Sequence, residues 1–216
     1  MLHLMPERAD MMDVLRTSIS AIASFDDELD DRSADANRRK AIRLLAKVPQ
    51  IVAYGYRALT KQPMIEPDPK LSYTANFLYM ITGDKPSKVE ETIFDQSLVV
   101  YSEHELPNST FTARVIASTQ SDIYGALVGA VASLKGTLHG GANEAVMHML
   151  LEANSSDELE ALIRSKLARK ERIMGFGHRV YMRKPDPRAL LMKEALSKLA
   201  PLCNQQGLYD MCERGE

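Results

Sequence analysis

The sequence predicts an all-α protein. Three observations carry that expectation. Apolar residues recur at helical spacing along most of the chain. Few stretches alternate apolar and polar residues for long enough to make a strand. Serine, proline and glycine punctuate the apolar stripes at positions where helices start and stop. With 216 residues, 45% of them apolar and 26% charged, the chain can bury a sizeable core.

Residues 10–25 read as a first helix, with Met12, Leu15, Ile19 and Ile22 on one face. The acidic run Asp26-Asp27-Glu28-Leu29-Asp30-Asp31 reads as a solvated loop. Ser33 is placed to N-cap a long helix through Ala41, Leu44, Leu45 and Val48. Pro49 is expected to kink or break that helix before it resumes over residues 51–59. Pro63, Pro67 and Pro69 mark a loop. Helices follow over 72–82, ending near Gly83, and over 86–101, where Pro86 suits a first turn.

His104 to Asn108 forms a break. Helices over 110–119 and 122–135 come next, the second apolar nearly all round and so expected to be buried. Its Gly125 and Gly129 have the spacing that lets two helices approach closely. Gly136 to Gly141 is a glycine-bearing turn, and 142–153 is helical. Ser155 or Ser156 caps a helix over 157–170. Residues 175–187 read as a loop and 189–199 as the last clear helix.

Composition narrows the function classes. A formal net charge of -2 and a pI near 6.2 imply neither a nucleic-acid nor a membrane partner. The longest apolar block, residues 123–134, is too short to span a bilayer. Two cysteines, Cys203 and Cys212, make no disulfide framework and read as reduced thiols in a cytoplasmic protein. The opening Met-Leu-His-Leu-Met-Pro-Glu-Arg lacks the features of a signal peptide. His104-Glu105 has no second histidine four residues on and no cysteine nearby, so no metal site is expected.

Three of the five histidines, His104, His139 and His178, fall in breaks between helices, beside glycine, proline or small polar residues. His3 and His148 read as non-functional. His139 precedes a helix opening with Gly140, Gly141 and Ala142. The positive end of that helix disfavours imidazolium, and a neutral ring can donate to a carbonyl oxygen as it gains enolate character. An ordinary glycine turn at a helix start explains the same residues, and both readings stay open.

The stretch Met174-Gly-Phe-Gly-His-Arg-Val-Tyr-Met-Arg-Lys-Pro-Asp-Pro-Arg188 combines a histidine, two glycines and four basic residues. Arg188 can pair bidentately with a carboxylate. Gly175 and Gly177 permit close backbone approach to a flat ring or a phosphate. As a whole the block points to an anionic ligand, whereas Arg169 and Lys170 read as a solvated face. No strand precedes the glycines, so they are not a dinucleotide fingerprint.

Three stretches together resemble the citrate synthase family: Tyr101-Ser-Glu-His-Glu-Leu-Pro-Asn-Ser-Thr-Phe, then Gly136-Thr-Leu-His-Gly-Gly-Ala-Asn-Glu, then Gly175-Phe-Gly-His-Arg-Val-Tyr with Asp186-Pro-Arg188. Their order and separations match over essentially the whole chain. Within the family the sequence is most similar to the Bacillus-type 2-methylcitrate synthases, through Asp13-Val-Leu-Arg-Thr, Leu71-Ser-Tyr-Thr-Ala-Asn-Phe-Leu-Tyr-Met and Ile173-Met-Gly-Phe-Gly-His.

The resemblance implies a citrate synthase fold, with part of a large helical domain over 1–138 and part of a small one over 139–216. It implies a homodimer at full length and a substrate cleft between domains. Propionyl-CoA or acetyl-CoA would condense with oxaloacetate to give 2-methylcitrate or citrate and free CoA. No cofactor is held tightly, and a coenzyme A thioester is the co-substrate. His104 matches a position that binds oxaloacetate. His139 matches one that hydrogen-bonds the thioester carbonyl. His178 matches one that polarises the ketone and protonates the new alkoxide. Arg188 matches an arginine on an oxaloacetate carboxylate. Leu138 and the segment Arg172, Ile173, Met174, Gly175, Phe176 match the coenzyme A site, with Arg183 or Lys184 reaching its phosphates. Asn108, Ser109 and Thr110 look like supports for the histidines.

One departure matters. The family's base is an aspartate in an Asn-Val/Leu-Asp-Phe/Tyr-Tyr motif, and no stretch of these 216 residues matches it. Asp210 is not in that context. The chain therefore reads as the central portion of such an enzyme. By itself it is expected to show little or no condensation and to expose apolar surface that favours aggregation. A non-catalytic fragment that still binds CoA or oxaloacetate is the alternative of another class.

Overall fold

A computed structural model describes residues 5–177, 181 and 183–216. Among the described residues there are ten α-helices and no strand, as the periodicity predicts. They are α1 (Met11–Ala23), α2 (Ala34–Leu59), α3 (Tyr73–Thr82), α4 (Lys88–Tyr101), α5 (Asn108–Ser118), α6 (Ile123–Leu134), α7 (Gly141–Leu151), α8 (Ser156–Ala168), α9 (Pro187–Leu202) and α10 (Gln206–Gly215). Asp10, Ser33, Ser72, Asp122, Ser155 and Asp186 each cap a helix by accepting from an amide of its first turn. No described helix is long and apolar enough to cross a membrane.

The chain divides into two compact units. One is Met1–Glu91 with Glu103–Lys135, and the other is Thr92–Ser102 with Gly136–Glu216. The chain therefore passes between units inside α4, after Ser102 and after Lys135.

The first unit packs α1 against α2 and α6, α5 against α6, and α3 against α2. Its core joins Ile19, Leu44, Ile51, Tyr124 and Val131. Full burial of a side chain such as Ile19 contributes about 2 kcal/mol. Two glycines permit close packing. A Cβ on Gly55 of α2 would lie 2.8 Å from Val14 Cγ1, and one on Gly129 of α6 would meet the Ile116 side chain of α5. α6 is less enclosed than its composition suggests. Only Tyr124, Ala126 and Val131 are buried, because α1 and α5 cover part of its circumference.

The acidic run is not simply a solvated loop. The Asp26 side chain is only 4% exposed. It accepts from Arg43 Nε at 2.9 Å and Nη2 at 2.7 Å, and from the Tyr124 hydroxyl. Glu28 pairs with Arg39 and with Arg43, the latter at 2.8 Å. Lys40 is wholly buried and donates to the carbonyls of Leu29 at 3.3 Å and Asp31 at 2.6 Å. Basic residues nine to seventeen places downstream in α2 fold this run onto the core, which local sequence does not reveal.

Pro49 does not break α2, which runs unbroken through it. A mid-helix proline leaves the carbonyl four residues earlier without its amide. That carbonyl belongs to Leu45, and it accepts from the Tyr73 hydroxyl at 3.0 Å. The α3 side chain thus supplies the missing donor.

The second unit packs α10 against α7, α8 and α9. Met149, Leu150, Ala153, Leu159 and Met211 form its core, with Val146, Ile173 and Leu208 against them. The helix at 189–199 is not the last, because α10 follows it. Gly207 and Gly215 lower the helix propensity of that segment, but burial of Met211 outweighs them.

Candidate active-site segments

Lys135, the residue that closes α6, ion-pairs with Asp13 at 2.6 Å and Asp10 at 3.6 Å. The turn holding His139 follows at once. Its hub is the Gly136 carbonyl, which accepts from the amides of His139 at 2.9 Å and Gly141 at 3.2 Å. The amide of Ala142 donates to the His139 carbonyl and that of Asn143 to the Gly140 carbonyl, both at 3.1 Å. No side chain caps α7. The amides that an open helix start offers to an anion are here taken up by the turn itself. His139 is half-buried. Leu138 beside it is 74% exposed.

The segment 172–176 leaves the end of α8, where the Glu171 amide donates to the Lys166 carbonyl at 2.9 Å. Ile173 anchors it by packing onto the core of the second unit. Gly175 has φ +90° and Gly177 φ +75°, conformations that favour glycine. A Cβ on Gly175 would lie 2.8 Å from Val146 Cγ2, whereas one on Gly177 meets nothing within 4 Å among the described residues. Gly175 therefore meets both a conformational and a steric demand. Arg172, Phe176, Arg183 and Lys184 are exposed. Among the described residues none of these three cations forms an ion pair, unlike Arg169, which pairs with Glu171 at 2.5 Å.

Arg188 lies in the first turn of α9 and is held by Asp186, the residue that caps this helix. Nε donates to both Asp186 carboxylate oxygens at 3.1 Å, and Nη2 donates to Oδ2 at 2.7 Å. The Asp186 carboxylate also accepts the Arg188 backbone amide at 2.9 Å. These bonds, with charge from Tyr181 and Tyr101, raise the Arg188 pKa above its ordinary value. Among the described residues Nη1 makes no hydrogen bond.

His104 and residues 108–110 lie in the first unit, whereas Leu138, His139, 172–176, Arg183, Lys184 and Arg188 lie in the second. His104 is half-buried in the break after α4, next to Glu105 with φ +60°. Asn108 opens α5, and its side-chain oxygen accepts from Ser133 Oγ at 2.6 Å, tying α5 to the end of α6. Ser109 and Thr110 follow it in the first turn. His178 lies outside the described residues. No group of three His, Cys, Asp or Glu among the described residues is placed to hold a metal ion.

Sequence reasoning passed over two partners. Asp186 carries a usable signal, an aspartate just before Pro187 at a helix start. Val146 carries none, because its contact with Gly175 joins distant parts of the chain.

A family model described as citrate synthase, C-terminal domain, matches residues 1–216. The citrate/2-methylcitrate synthase of Bacillus subtilis strain 168 is 61% identical over 216 residues, covering 100% of this chain and 58% of that protein. The 2-methylcitrate synthase of Mycobacterium tuberculosis strain H37Rv is 47% identical over 207 residues, covering 96% of this chain and 52% of that protein. Among solved structures, a ternary complex of carboxymethyl coenzyme A and oxaloacetate with citrate synthase from the archaeon Thermoplasma acidophilum matches with TM-score 0.89 and 32% identity. The match covers 100% of this chain and 56% of that one. The chain thus spans a little over half the length of these relatives.

Proposed function

This chain belongs to the citrate synthase family, and on that premise we propose that it carries much of the site of an acyltransferase that condenses an acyl-CoA with oxaloacetate. Propionyl-CoA would give 2-methylcitrate and acetyl-CoA citrate, each with free CoA. The two thioesters differ by one methylene, which a pocket discriminates only modestly. Relative catalytic efficiency on the two distinguishes 2-methylcitrate synthase from ordinary citrate synthase.

In this reading the thioester carbonyl accepts from His139 as its α-carbon loses a proton to the family's aspartate base, which these 216 residues do not contain. The enol carbon then attacks the ketone of oxaloacetate. His178 polarises that ketone and protonates the new alkoxide, while His104 and the Nη1 edge of Arg188 hold the keto acid. The backbone and side chains of Leu138 and 172–176 receive coenzyme A, and Arg183 or Lys184 its phosphates. Asn108, Ser109 and Thr110 support the histidines. Hydrolysis of the condensed thioester makes the reaction irreversible in practice. The full-length protein works as a cytoplasmic homodimer with no tightly bound cofactor.

The observation that carries this reading is a set of cations in one unit that, among the described residues, no carboxylate fully answers. They are Arg172, Arg183, Lys184 and the outer edge of Arg188. Oxaloacetate and coenzyme A are both anions. The family's aspartate motif is absent from these 216 residues, which favours a second reading, binding without turnover. Thiol release from acetyl-CoA and propionyl-CoA in the presence of oxaloacetate, measured on the purified chain, tests both. Little or no release, with CoA or oxaloacetate binding seen by calorimetry, is expected. Robust turnover would show that the 216 residues suffice, and absence of all binding would remove both readings.

A further inference from the structure

The geometry points to Val146 as a positioning residue that seats the segment 172–176 on the helix issuing from the His139 turn, so that one van der Waals contact sets the spacing between the two. This rests on the reading of 172–176 as the coenzyme A segment and of His139 as the thioester partner.

Three observations converge on Val146. The residue stands on α7, five positions after Gly141, which begins the helix at the His139 turn. At a rise of about 1.5 Å per residue it lies roughly 7 to 8 Å along that helix. The turn is itself closed through the Gly136, His139 and Gly140 carbonyls, so a displacement of α7 is carried to His139. Second, the backbone of 175 comes so close to Val146 that a Cβ there would lie 2.8 Å from Cγ2, with Cγ1 at 3.9 Å. The contacted atom is a branch methyl next to the backbone of a β-branched residue, which has little rotamer freedom in a helix. Third, Val146 and Ile173 both pack on the same core of Met149, Leu150, Ala153, Leu159 and Met211. The segment is thus held at Ile173 by that core and at Gly175 by Val146. Arg172 and Phe176, on either side of these anchors, stay exposed to a ligand.

Gly177 is the internal contrast. It shares the left-handed conformation, φ +75°, but nothing among the described residues lies within 4 Å of its would-be Cβ. A glycine serving only conformation needs no neighbour, whereas Gly175 also has one.

The test uses the 216-residue chain. Calorimetry with coenzyme A and hydrogen exchange of the amides of 172–176 and 139–143 are compared in wild type, Val146→Ala, Val146→Ile, Gly175→Ala and the double variant V146A/G175A. Val146→Ala should weaken CoA binding by about fivefold, the order expected from losing one packing contact. It should also speed exchange in both amide segments with helix content unchanged. Val146→Ile, which keeps both branches, should stay within about twofold of wild type. Gly175→Ala should lose about tenfold or more, and the double variant should lose less than the product of the single losses, because shortening Val146 makes room for the new methyl. If Val146→Ala leaves CoA affinity and exchange at wild-type values, the positioning role is wrong. If the double variant loses the full product, the close contact is not what Gly175 serves, and the role also falls. If wild type binds no CoA while Val146→Ala still speeds exchange in both segments, the contact stands and the coenzyme A reading fails.

Discussion

A carboxylate as enclosed as Asp26 is tolerable only while it is charged and answered. Burial pushes its carboxyl up, but hydrogen bonds from Tyr124, the Glu28 amide and Arg43 together hold it below the ordinary aspartate value. A depressed folded pKa contributes stability that is present above the unfolded value, near 3.9, and is lost as pH falls through the folded one. Asp13, Glu28 and Asp68 are lowered too, by bonds first from Lys135, Arg39 and Lys85, and act with the same sign. Asp26→Asn should destabilise the chain by about 2 kcal/mol at pH 7, since it leaves Arg43 partly unanswered. Urea unfolding between pH 6 and pH 3 should then show a shallower loss than wild type, and parallel profiles would refute the assignment. This network was invisible in sequence because a run of acids usually faces water. His139 was legible in position but not in detail. The glycine-rich helix start was foreseen, but not that its amides bond back into the turn.

At the scale of elements, the caps Ser33 and Ser155 were legible, and misreadings arose where tertiary contacts override local preference. Pro49 is the clearest case. If Tyr73 replaces the missing donor, Tyr73→Phe should cost about 0.5 to 1 kcal/mol, and less in a Pro49→Ala background, where the Leu45 carbonyl regains an amide. Equal costs in both backgrounds, read by urea unfolding, would break the link. The helix glycines give a matched pair of predictions. Gly55→Ala should destabilise by about 1 to 2 kcal/mol despite better helix propensity, because Val14 is 1% exposed and has no room to move. Gly207→Ala meets nothing within 4 Å among the described residues and should stabilise α10 by about 0.5 kcal/mol. Thermal midpoints moving in the same direction for both would contradict this account of the packing.

At the scale of the molecule, the all-α class followed from periodicity alone, and the family resemblance supplied segment roles that physics left open. The division of the chain was harder to read, because Thr92–Ser102 groups with residues far downstream and no local signal marks that. Large apolar side chains stand exposed on both units, among them Phe25, Val99, Phe111, Leu151, Leu167 and Leu202. Single exposed apolar residues are ordinary, but so many predict self-association. Light scattering of the purified chain should rise with concentration, together with binding of an apolar dye. A monodisperse, dye-silent solution at high concentration would show that these side chains form no continuous adhesive surface.

The interrupted second unit also has a history in time. During synthesis Thr92–Ser102 leaves the ribosome before any other part of the unit it joins, and residues 103–135 must emerge next and fold elsewhere. At about 5 to 20 residues per second, the early strip waits seconds for its partners. During that interval Ile93, Phe94 and Val100, half-buried in the finished fold, are open to wrong company. A nascent chain paused between residues 103 and 135 therefore carries that strip without the rest of the unit it joins.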